Sequence, residues 1–287
     1  MPSQPLVSIL TPSFNQARWL EDNLRSVACQ SYPNIEHIVM DGGSADGSAA
    51  LLAGAGPGVR WKSEPDRGQS HALNKAFALS EGEIIGWLNS DDAYFDCDAV
   101  AEVVDLFVRH PAADVVYGHA AHVNADGRIL HYFWAPAFSH RLLKLYDYLL
   151  QPAVFCRRRA LGDRLVDESF EFAMDYELWL RLARGSRFAR LDRVIAVDRV
   201  QPGRKSKNLL AVAESDTRGL VERYGVSTST LARKLASMHH VYCRVRGARL
   251  ALAAHGPLAF SGKSDSRWAV LRRQVARRRS RMPVSDG

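Results

Sequence analysis

The chain contains few cysteines, no long apolar run and no recognisable leader segment. Its four cysteines, among 287 residues, are widely separated and form no Cys-x-x-Cys pair. The sequence therefore predicts neither a disulfide framework nor a zinc site. No segment approaches the roughly 18 to 20 consecutive apolar residues that span a bilayer, and the N-terminus has no basic start followed by an apolar core. We expect a cytoplasmic protein without transmembrane segments.

A dinucleotide-binding loop is also lacking. The segment DGGSADGS at residues 41–48 is rich in glycine, but its spacing is not that of the GxGxxG fingerprint. Glycine still permits close backbone approach to a ligand, while Asp and Ser supply hydrogen-bond acceptors and donors. The segment is therefore a candidate for ligand binding of another kind.

Charge is distributed unevenly along the sequence. The formal net charge is +7 at pH 7, but residues 1–200 carry 20 Lys and Arg against 26 Asp and Glu, a balance of −6. Residues 201–287 carry 18 against 5, a balance of +13. Such a basic segment is compatible with an anionic membrane surface, with nucleic acid or with simple solvation. We expect peripheral contact with the inner face of the cell membrane rather than nucleic-acid binding.

The most informative stretch is EIIGWLNSDD at residues 83–92, where an apolar run ends in Asp91 and Asp92. A continuous apolar run is typical of a strand buried on both faces of a parallel sheet, and ligands bind at the carboxyl ends of such strands. Adjacent carboxylates favour a hard divalent cation such as Mg²⁺ or Mn²⁺. A bare Asp pair is nevertheless more often a turn or a helix cap, so other segments must decide.

Strand patterns alternate with amphipathic helix patterns along the chain, and polar residues follow each strand. This alternation predicts an α/β fold with a mostly parallel central sheet, flanking helices and one crevice. The predicted strands cover residues 6–10, 35–40, 59–62, 84–88 and 114–117, with others near 120–133 and at 194–200, and the predicted helices cover residues 16–29, 69–79 and 99–109.

Residues 172–185 form the second informative stretch. They predict a helix that begins near Asp175 and ends at Gly185. An acid in the first turn of a helix is more often a cap than a catalytic group. Beyond this helix we predict a basic loop at residues 201–208, helices at 209–224 and 231–252, and a mobile tail over the last twenty residues.

Taken together, six segments resemble family 2 of the glycosyltransferases, which adopt the Rossmann-like GT-A fold. They occur in family order over about residues 5–208. The resemblance implies a GT-A catalytic domain at residues 1–208 and a basic, mainly helical extension at residues 209–287. The six segments are VSILTPSFNQ at 7–16, IEHIVMDGGSADGS at 35–48, SEPDRGQSHALNKAF at 63–77, GWLNSDD at 86–92, QPAVFCRR at 151–158 and MDYELWLR at 174–181.

The resemblance implies an inverting transferase that moves a sugar from a nucleotide diphosphate donor, expected to be a UDP-sugar, to an acceptor hydroxyl. The implied cofactor is Mn²⁺ or Mg²⁺, because a diphosphate leaving group needs a cation to offset its developing charge. The implied acceptor is a glycan or a lipid-linked molecule. The implied setting is the synthesis of surface polysaccharide or glycolipid.

The same resemblance assigns roles to individual residues. Asp175 would be the catalytic base, because the acceptor hydroxyl needs a carboxylate to take its proton. Asp92 would bind the metal, with Asp91 beside it and nearer the ribose. Asp41 would hydrogen-bond the nucleotide base, and Arg67 would lie near the donor. The remaining expected donor contacts are Thr11, Pro12, Ser13, Asn15, Gly43, Ser44 and Asn89.

Two positions depart from the family pattern. Met174 stands where relatives often have an acid before the catalytic aspartate, and Gln201 stands where they often have histidine. Loss of that histidine would remove a metal or phosphate contact. Lys205, Ser206 and Lys207 in the following loop are compatible with a phosphate-binding lid and equally with a solvated basic loop.

Two other functions are compatible with parts of the pattern. A sugar nucleotidyltransferase also uses nucleotide, metal and a similar sheet, but the N-terminus lacks the Gly-rich, Arg- or Lys-bearing triphosphate loop expected of that class. A catalytically inactive, glycan-binding relative is the other alternative. The acids at positions 41, 91, 92 and 175 are all present, and this favours an active enzyme.

Overall fold

The computed structural model describes residues 4–201 and 210–255, which are organised around a nine-stranded sheet. The strands are β1 (Val7–Ser13), β2 (Ile35–Asp41), β3 (Val59–Ser63), β4 (Ile84–Trp87), β5 (Ala93–Tyr94), β6 (Val115–Val123), β7 (Ile129–Phe133), β8 (Val154–Arg157) and β9 (Phe188–Arg199). The α helices are α1 (Ala17–Ala28), α2 (Ser48–Ala53), α3 (Gln69–Leu79), α4 (Ala99–Arg109), α5 (His140–Leu143), α6 (Met174–Leu182), α7 (Leu210–Tyr224) and α8 (Thr230–His255).

The sheet has the strand order β3-β2-β1-β4-β8-β6-β9-β5, with β7 paired to β6. Strands β3, β2, β1 and β4 are parallel to one another, and β6 is parallel to β9. Strand β8 is antiparallel to β4 and β6, β7 is antiparallel to β6, and β5 is antiparallel to β9. The predicted α/β fold is confirmed. Parallel pairing dominates the N-terminal part of the sheet, and the strands after β4 make the whole sheet mixed.

Alternate side chains of the central strands enter two separate apolar clusters, one on each face of the sheet. Leu10 and Ile85 belong to the cluster that contains α3, while Ile9 and Ile84 belong to the cluster that contains α4. Every residue of β1 and β4 is buried. Burying one such side chain is worth about 1.5–3 kcal/mol. This two-sided burial explains why the run before Asp91 does not alternate with polar residues.

The register places the ends of three strands at one edge. Ser13 of β1 pairs with Asp41 of β2, and Leu10 of β1 pairs with Trp87 of β4. Because parallel strands present their carboxyl ends at the same edge, the loops that follow β1, β2 and β4 lie together. These loops contain most of the predicted site residues.

Helices α7 and α8 confirm the two helices that were predicted beyond residue 208. Leu220 of α7 belongs to the same apolar cluster as Trp179 of α6. The predicted boundary at residue 208, the basic loop with Lys205, Ser206 and Lys207, and the mobile tail lie outside the described residues. Within residues 4–201 and 210–255, no helix is both long enough and apolar enough to cross a membrane.

Several short elements were not predicted. Helix α2 has six residues, helix α5 has four and strand β5 has two, and segments of this length carry too little periodicity to be detected. The strands predicted near 120–133 exist as the end of β6 and as β7, which form an antiparallel pair.

Candidate functional site

The Asp41 carboxylate is held at the end of β2 by three hydrogen bonds. The Ser44 backbone N–H donates to Oδ2 at 2.9 Å, the Ser44 hydroxyl donates to Oδ1 at 2.5 Å, and the Ser63 hydroxyl donates to Oδ2 at 2.6 Å. Asp41 is 1% exposed. This carboxylate is therefore fixed in place by Ser44 of its own loop and by Ser63 at the end of β3.

The loops after β1 and β2 are tied to each other. The Asn15 backbone N–H donates to the Ser44 hydroxyl at 2.7 Å, and the Asn15 side-chain oxygen accepts from the Ala45 N–H at 3.0 Å. Asn15 has φ 52° and Gly43 has φ 81°, and both values lie in the left-handed region that Asn and Gly tolerate best. The structure therefore brings Asn15, Asp41, Gly43 and Ser44 together in one polar edge.

The three β1 residues of the predicted pocket lie beneath this edge. Thr11 is fully buried, and its hydroxyl forms a 3.0 Å hydrogen bond with Nε2 of His37. Burial lowers the pKa of His37 to about 3. Pro12 is also buried. Ser13 is 4% exposed, and its hydroxyl has no hydrogen-bond partner among the described residues. Ser13 is therefore the β1 side chain with a polar atom left to bind a ligand.

The acidic turn, residues 89–92, follows β4 and is anchored by Arg199 at the end of β9. The Arg199 backbone N–H donates to Asp92 Oδ1 at 2.9 Å, and its Nε donates to the Asp91 carbonyl at 2.8 Å. Its Nη2 also donates to Asp22 at 3.0 Å. Asp92 and Arg199 are 4% and 2% exposed. Arg199 therefore fixes the turn through its backbone N–H and its guanidinium.

Gln201 contacts the acidic turn. It is 4% exposed, and its Nε2 lies 3.4 Å from Asp91 Oδ2, while Asn89 Nδ2 lies 3.4 Å from Asp92 Oδ2. Contacts of this length are weak. Gln201, the position at which the resemblance implies a histidine, is thus adjacent to the predicted metal-binding pair.

The carboxylates of the acidic turn fit a divalent cation that is shared with a substrate. Among the described residues, no group of three or more His, Cys, Asp or Glu side chains is arranged to hold a metal by itself. Mg²⁺ is usually bound by one or two carboxylates together with substrate phosphates. Asp91 and Asp92 are two carboxylates in adjacent positions of this turn, and they meet that requirement.

Asn89 is the centre of a hydrogen-bond network at the start of the acidic turn. Its Oδ1 accepts from Gln69 Nε2 and from Trp87 Nε1, both at 2.8 Å, and its Nδ2 donates to Gln151 Oε1 at 2.9 Å. Gln151 donates in turn to the Trp87 carbonyl. Contacts with Gln69, Trp87 and Gln151 thus hold the Asn89 side chain in place, and with it the start of the acidic turn.

Asp175 lies in the first turn of α6. The preceding Met174 is 3% exposed, and its sulfur accepts a 3.1 Å hydrogen bond from the Ser70 hydroxyl. Ser70 follows Gln69, which contacts Asn89. The first turn of α3 therefore joins the start of α6 to the acidic turn. The start of α6, where Asp175 lies, is thus linked to the acidic turn through two neighbouring residues of α3.

Glu177, the other carboxylate of this helix, is a structural residue. It is 1% exposed, it forms an ion pair with Arg181 at 3.3 Å, and it accepts a 2.5 Å hydrogen bond from the Tyr224 hydroxyl. Its two partners lie on α6 and α7. Glu177 thus links these helices, which explains a second acid so close to Asp175.

Sequence reasoning missed Asp147, a half-buried carboxylate beside Asp175. Burial raises the pKa of Asp147 well above its usual range, and the negative charge of Asp175 raises it further. The backbone N–H of Leu149 donates to it at 3.0 Å. Asp147 lies between Tyr146 and Tyr148 in a segment that matches no motif, so its proximity to Asp175 could not be read from the sequence.

Arg67 lies at the periphery of these groups. Its side chain is 70% exposed and forms an ion pair with Glu168 at 2.9 Å. Glu168 also accepts a hydrogen bond from Asn74 of α3 at 3.1 Å. For Arg67 to contact the donor, its ion pair with Glu168 would have to break. Exposed ion pairs contribute little stability, so this exchange would cost little free energy.

Comparison with known proteins identifies several relatives. An uncharacterized glycosyltransferase of Mycobacterium tuberculosis is 43% identical over 107 residues, which is 37% of this chain and 41% of the relative. Chondroitin synthase of Pasteurella multocida is 31% identical over 195 residues, which is 66% of this chain and 20% of the relative. The chain therefore matches less than half of the length of these curated relatives.

Solved structures share the fold at low sequence identity. TarS residues 1–349 of S. aureus, in complex with UDP-GlcNAc, has a TM-score of 0.58 and 17% identity over 98% of this chain and 95% of that chain. The mannosyltransferase PcManGT of Pyrobaculum calidifontis, in complex with GDP-Man and Mn²⁺, has a TM-score of 0.56 and 19% identity over 96% of this chain and 81% of that chain. The model of the family described as "Glycosyl transferase family 2" matches residues 8–168. Because this match covers more than half of the chain, the protein belongs to glycosyl transferase family 2.

Proposed function

We propose that the protein transfers a sugar from a nucleotide diphosphate sugar to an acceptor hydroxyl with inversion. The observation that carries this proposal is the acidic turn at the end of β4, which lies at the same sheet edge as Asp41 and is linked through α3 to the start of α6, where Asp175 lies. A transferase of this type needs a donor site, a site for the leaving diphosphate and a base. These three groups of side chains supply them.

The donor nucleotide binds at the ends of β1 and β2 in this proposal. Asp41 accepts a hydrogen bond from the base, and Asn15 and Ser44 hold the loop against the nucleotide. The hydroxyl of Ser13 donates to the ligand. Asn89 and Asp91 contact the ribose side, and Arg67 approaches the donor from the surface. UDP is the expected nucleotide, and the UDP-GlcNAc complex of TarS supports a nucleotide-sugar donor.

Asp92, with Asp91 beside it, would hold the divalent cation. When bound, Mn²⁺ or Mg²⁺ offsets the negative charge that develops on the leaving diphosphate. The complex of PcManGT with GDP-Man and Mn²⁺ supports this assignment. Gln201 lies beside Asp91, and its side-chain amide can donate a hydrogen bond or present a neutral oxygen in place of an imidazole.

Asp175 acts as the general base. Its carboxylate takes the proton of the acceptor hydroxyl while the hydroxyl oxygen forms a bond to the anomeric carbon of the donor sugar. The bond from that carbon to the diphosphate oxygen breaks, and the nucleoside diphosphate leaves. A single displacement of this kind inverts the anomeric configuration and needs no enzyme nucleophile. Glu177 is excluded from this role because Arg181 and Tyr224 engage its carboxylate.

The proposed acceptor is a glycan or a lipid-linked molecule in the synthesis of surface polysaccharide or glycolipid. Similarity to the chondroitin synthases of Pasteurella multocida and Escherichia coli supports a polysaccharide product. In this proposal residues 1–208 are the catalytic domain, and residues 209–287 are an extension that contacts an anionic membrane. The protein works at the cytoplasmic face of that membrane.

A donor-hydrolysis screen tests the proposal. The purified protein is incubated with a set of UDP- and GDP-sugars and Mn²⁺, and release of the nucleoside diphosphate is measured. We expect release from one donor, loss of that activity with EDTA, and recovery with added Mn²⁺. Formation of a nucleotide sugar and pyrophosphate from a sugar 1-phosphate and a nucleoside triphosphate would instead support the nucleotidyltransferase. Binding of glycan without any turnover would support the inactive relative.

A further inference from the structure

Helix α8 presents a stripe of large apolar side chains to solvent. Five of the six repeat at alternating spacings of four and three residues. At about 100° per residue all six fall within an arc of about 120°. We call this set the α8 stripe, and its members with their exposed fractions are Leu231 (67%), Leu235 (44%), Met238 (70%), Val241 (57%), Tyr242 (47%) and Val245 (56%).

The opposite face of α8 packs against the rest of the protein. Ala232 and Cys243 are buried on that face. A side chain at Gly247 would place its Cβ 1.9 Å from the Tyr132 carbonyl oxygen of β7, so the helix lies directly on this strand. His240 contacts Phe133, with 5.5 Å between the ring centroids. Since α8 already has a buried face, the α8 stripe is a second apolar surface.

Basic residues lie within and beside this surface. Lys234 and Arg249 fall inside the arc of the stripe, and Arg244 and Arg233 lie about 60° and about 80° beyond one edge of it; all four are exposed. Residues 230–255 contain five Lys and Arg and no Asp or Glu. An apolar stripe bordered by Lys and Arg is the pattern of a helix that lies in the plane of a membrane interface.

The charge on α8 distinguishes between the occupants of the stripe. The four-three spacing is also that of a coiled coil, but two copies of α8 would bring only positive charges together and form no interhelical ion pairs. Nucleic acid would attract the basic residues but would leave six apolar side chains in water. An anionic lipid surface satisfies both the charge and the apolar area.

We propose that α8 docks this protein on an anionic membrane, with the α8 stripe at the boundary between headgroups and acyl chains. Residues 201–287 carry a balance of +13, so the surrounding sequence adds to the attraction. The part of the chain that the structure describes contains no helix able to span a bilayer. Docking through one face of α8 is therefore interfacial.

The same helix is attached to the proposed acceptor side of the site. His239 of α8 forms a 2.6 Å hydrogen bond with the Tyr146 hydroxyl. Just before α8, the Ser227 N–H donates to the Lys144 carbonyl at 2.9 Å. Tyr176, the residue after Asp175, donates a hydrogen bond to the Leu143 carbonyl of the same segment. This step rests on the proposed function: a docked α8 would hold the base close to the lipid surface and thereby favour a lipid-linked acceptor.

A vesicle-binding experiment on the full chain tests the docking. Sedimentation is measured at low salt with phosphatidylcholine vesicles and with vesicles of equal parts phosphatidylcholine and phosphatidylglycerol. The stripe variant is Met238→Gln with Val241→Gln, which leaves the charge unchanged. The control is Leu79→Gln with Val108→Gln, two residues that are 46% and 51% exposed on other helices. Circular dichroism verifies the fold of each protein.

We expect the wild type and the control to bind the anionic vesicles, and the stripe variant to partition at least roughly tenfold less. Equal binding by the stripe variant would overturn the proposal. A dimer that the stripe variant dissociates, without vesicle binding, would show a second copy as the occupant. RNA binding without vesicle binding would assign α8 to nucleic acid. Both results would also overturn the docking.

Donor hydrolysis, measured in solution without lipid, separates this inference from the proposed function. Retained hydrolysis in the stripe variant would show that the loss of vesicle binding leaves the catalytic site intact. Absence of hydrolysis in the wild type would contradict the proposed transferase, while the vesicle result would still decide the role of α8. In the stripe variant, loss of vesicle binding together with faster turnover on a soluble acceptor than on a vesicle-borne one would support both the docking of α8 and the proposed transferase.

Discussion

The two sides of the candidate site are built differently. On the edge formed by β1, β2 and β4, the carboxylates are held by donors from their own loops or from a neighbouring strand, as Asp41 is by Ser44 and Ser63. On the α6 side, Asp175 adjoins Asp147 from a distant segment, and that segment is bonded to α8. The polar loops of the first side directly follow their strands in the sequence, whereas the pairing of Asp147 with Asp175 on the second side exists only once the chain has folded.

The proposal assigns a different task to each side. The β1–β2–β4 edge binds the donor and its cation, and the α6 side removes the acceptor proton. Mutations on the first side should therefore change donor affinity, and mutations on the second should change turnover.

The largest expected effect is that of Asp92→Asn. Its carboxylate accepts from the Arg199 N–H, a bond that the Asn oxygen can keep, so the fold should survive while the ionic ligand is lost. We expect Mn²⁺-dependent binding of UDP to disappear in calorimetric titration. Asp105→Asn, at an exposed position of α4, is the matched control. Unchanged affinity in Asp92→Asn would remove this residue from the metal site.

Asp175→Asn should give the next largest effect, confined to turnover. Asn has the size of Asp but cannot accept the proton, so transfer should fall by roughly 10²- to 10⁴-fold. Initial rates with saturating donor and acceptor measure this change. Glu177→Gln is the comparison: it should lower thermal stability, because it weakens the contacts with Arg181 and Tyr224, and leave most turnover intact. The reverse pattern would assign the base to Glu177.

Asp41→Ala should weaken UDP binding by roughly 1–3 kcal/mol, the cost of a lost buried hydrogen bond. The loss should be the same with and without Mn²⁺, since the nucleotide base lies away from the diphosphate. Calorimetric titration under both conditions measures it, with Ser63→Ala as the control that removes one donor to the carboxylate. A loss seen only with Mn²⁺ would conflict with a contact to the base.

The β1–β2–β4 edge could be predicted from the sequence more fully than the α6 side of the site. The strand ends and their polar loops were predicted because a buried strand and the loop after it are contiguous, as in the run before Asp91 and the loop of Asp41. The choice of Asp175 over Glu177 also came from a local motif, and the structure adds the physical reason in the Tyr224 contact. The roles of these residues stay predictions until they are measured.

What could not be predicted depends on contacts between distant segments. The burial of Thr11 against His37, the anchoring of the acidic turn by Arg199 and the approach of Asp147 to Asp175 each join parts of the chain with no common pattern. The exposure of the α8 stripe could not be predicted from the sequence for a different reason. An amphipathic sequence shows that a face is apolar but not whether the fold covers it.

The smallest expected effect concerns the pH dependence of stability at Asp147. Its pKa is raised in the folded state, so the native protein binds this proton more tightly than the unfolded chain. Stability from this group is complete at low pH and is lost as the pH rises from about 4, the unfolded pKa. Asp147→Asn removes this loss, so its melting temperature should exceed that of the wild type increasingly as the pH rises. The exposed Asp163→Asn should show no such trend.

The most direct test measures donor affinity and transfer rate in the same preparations of Asp92→Asn and Asp175→Asn. We predict that the two variants lose different properties. Asp92→Asn should lose Mn²⁺-dependent binding of the donor. Asp175→Asn should bind the donor as the wild type does and transfer the sugar roughly 10²- to 10⁴-fold more slowly. If Asp175→Asn loses donor affinity as severely as Asp92→Asn, or transfers at the wild-type rate, the division between a donor side and a base side is contradicted.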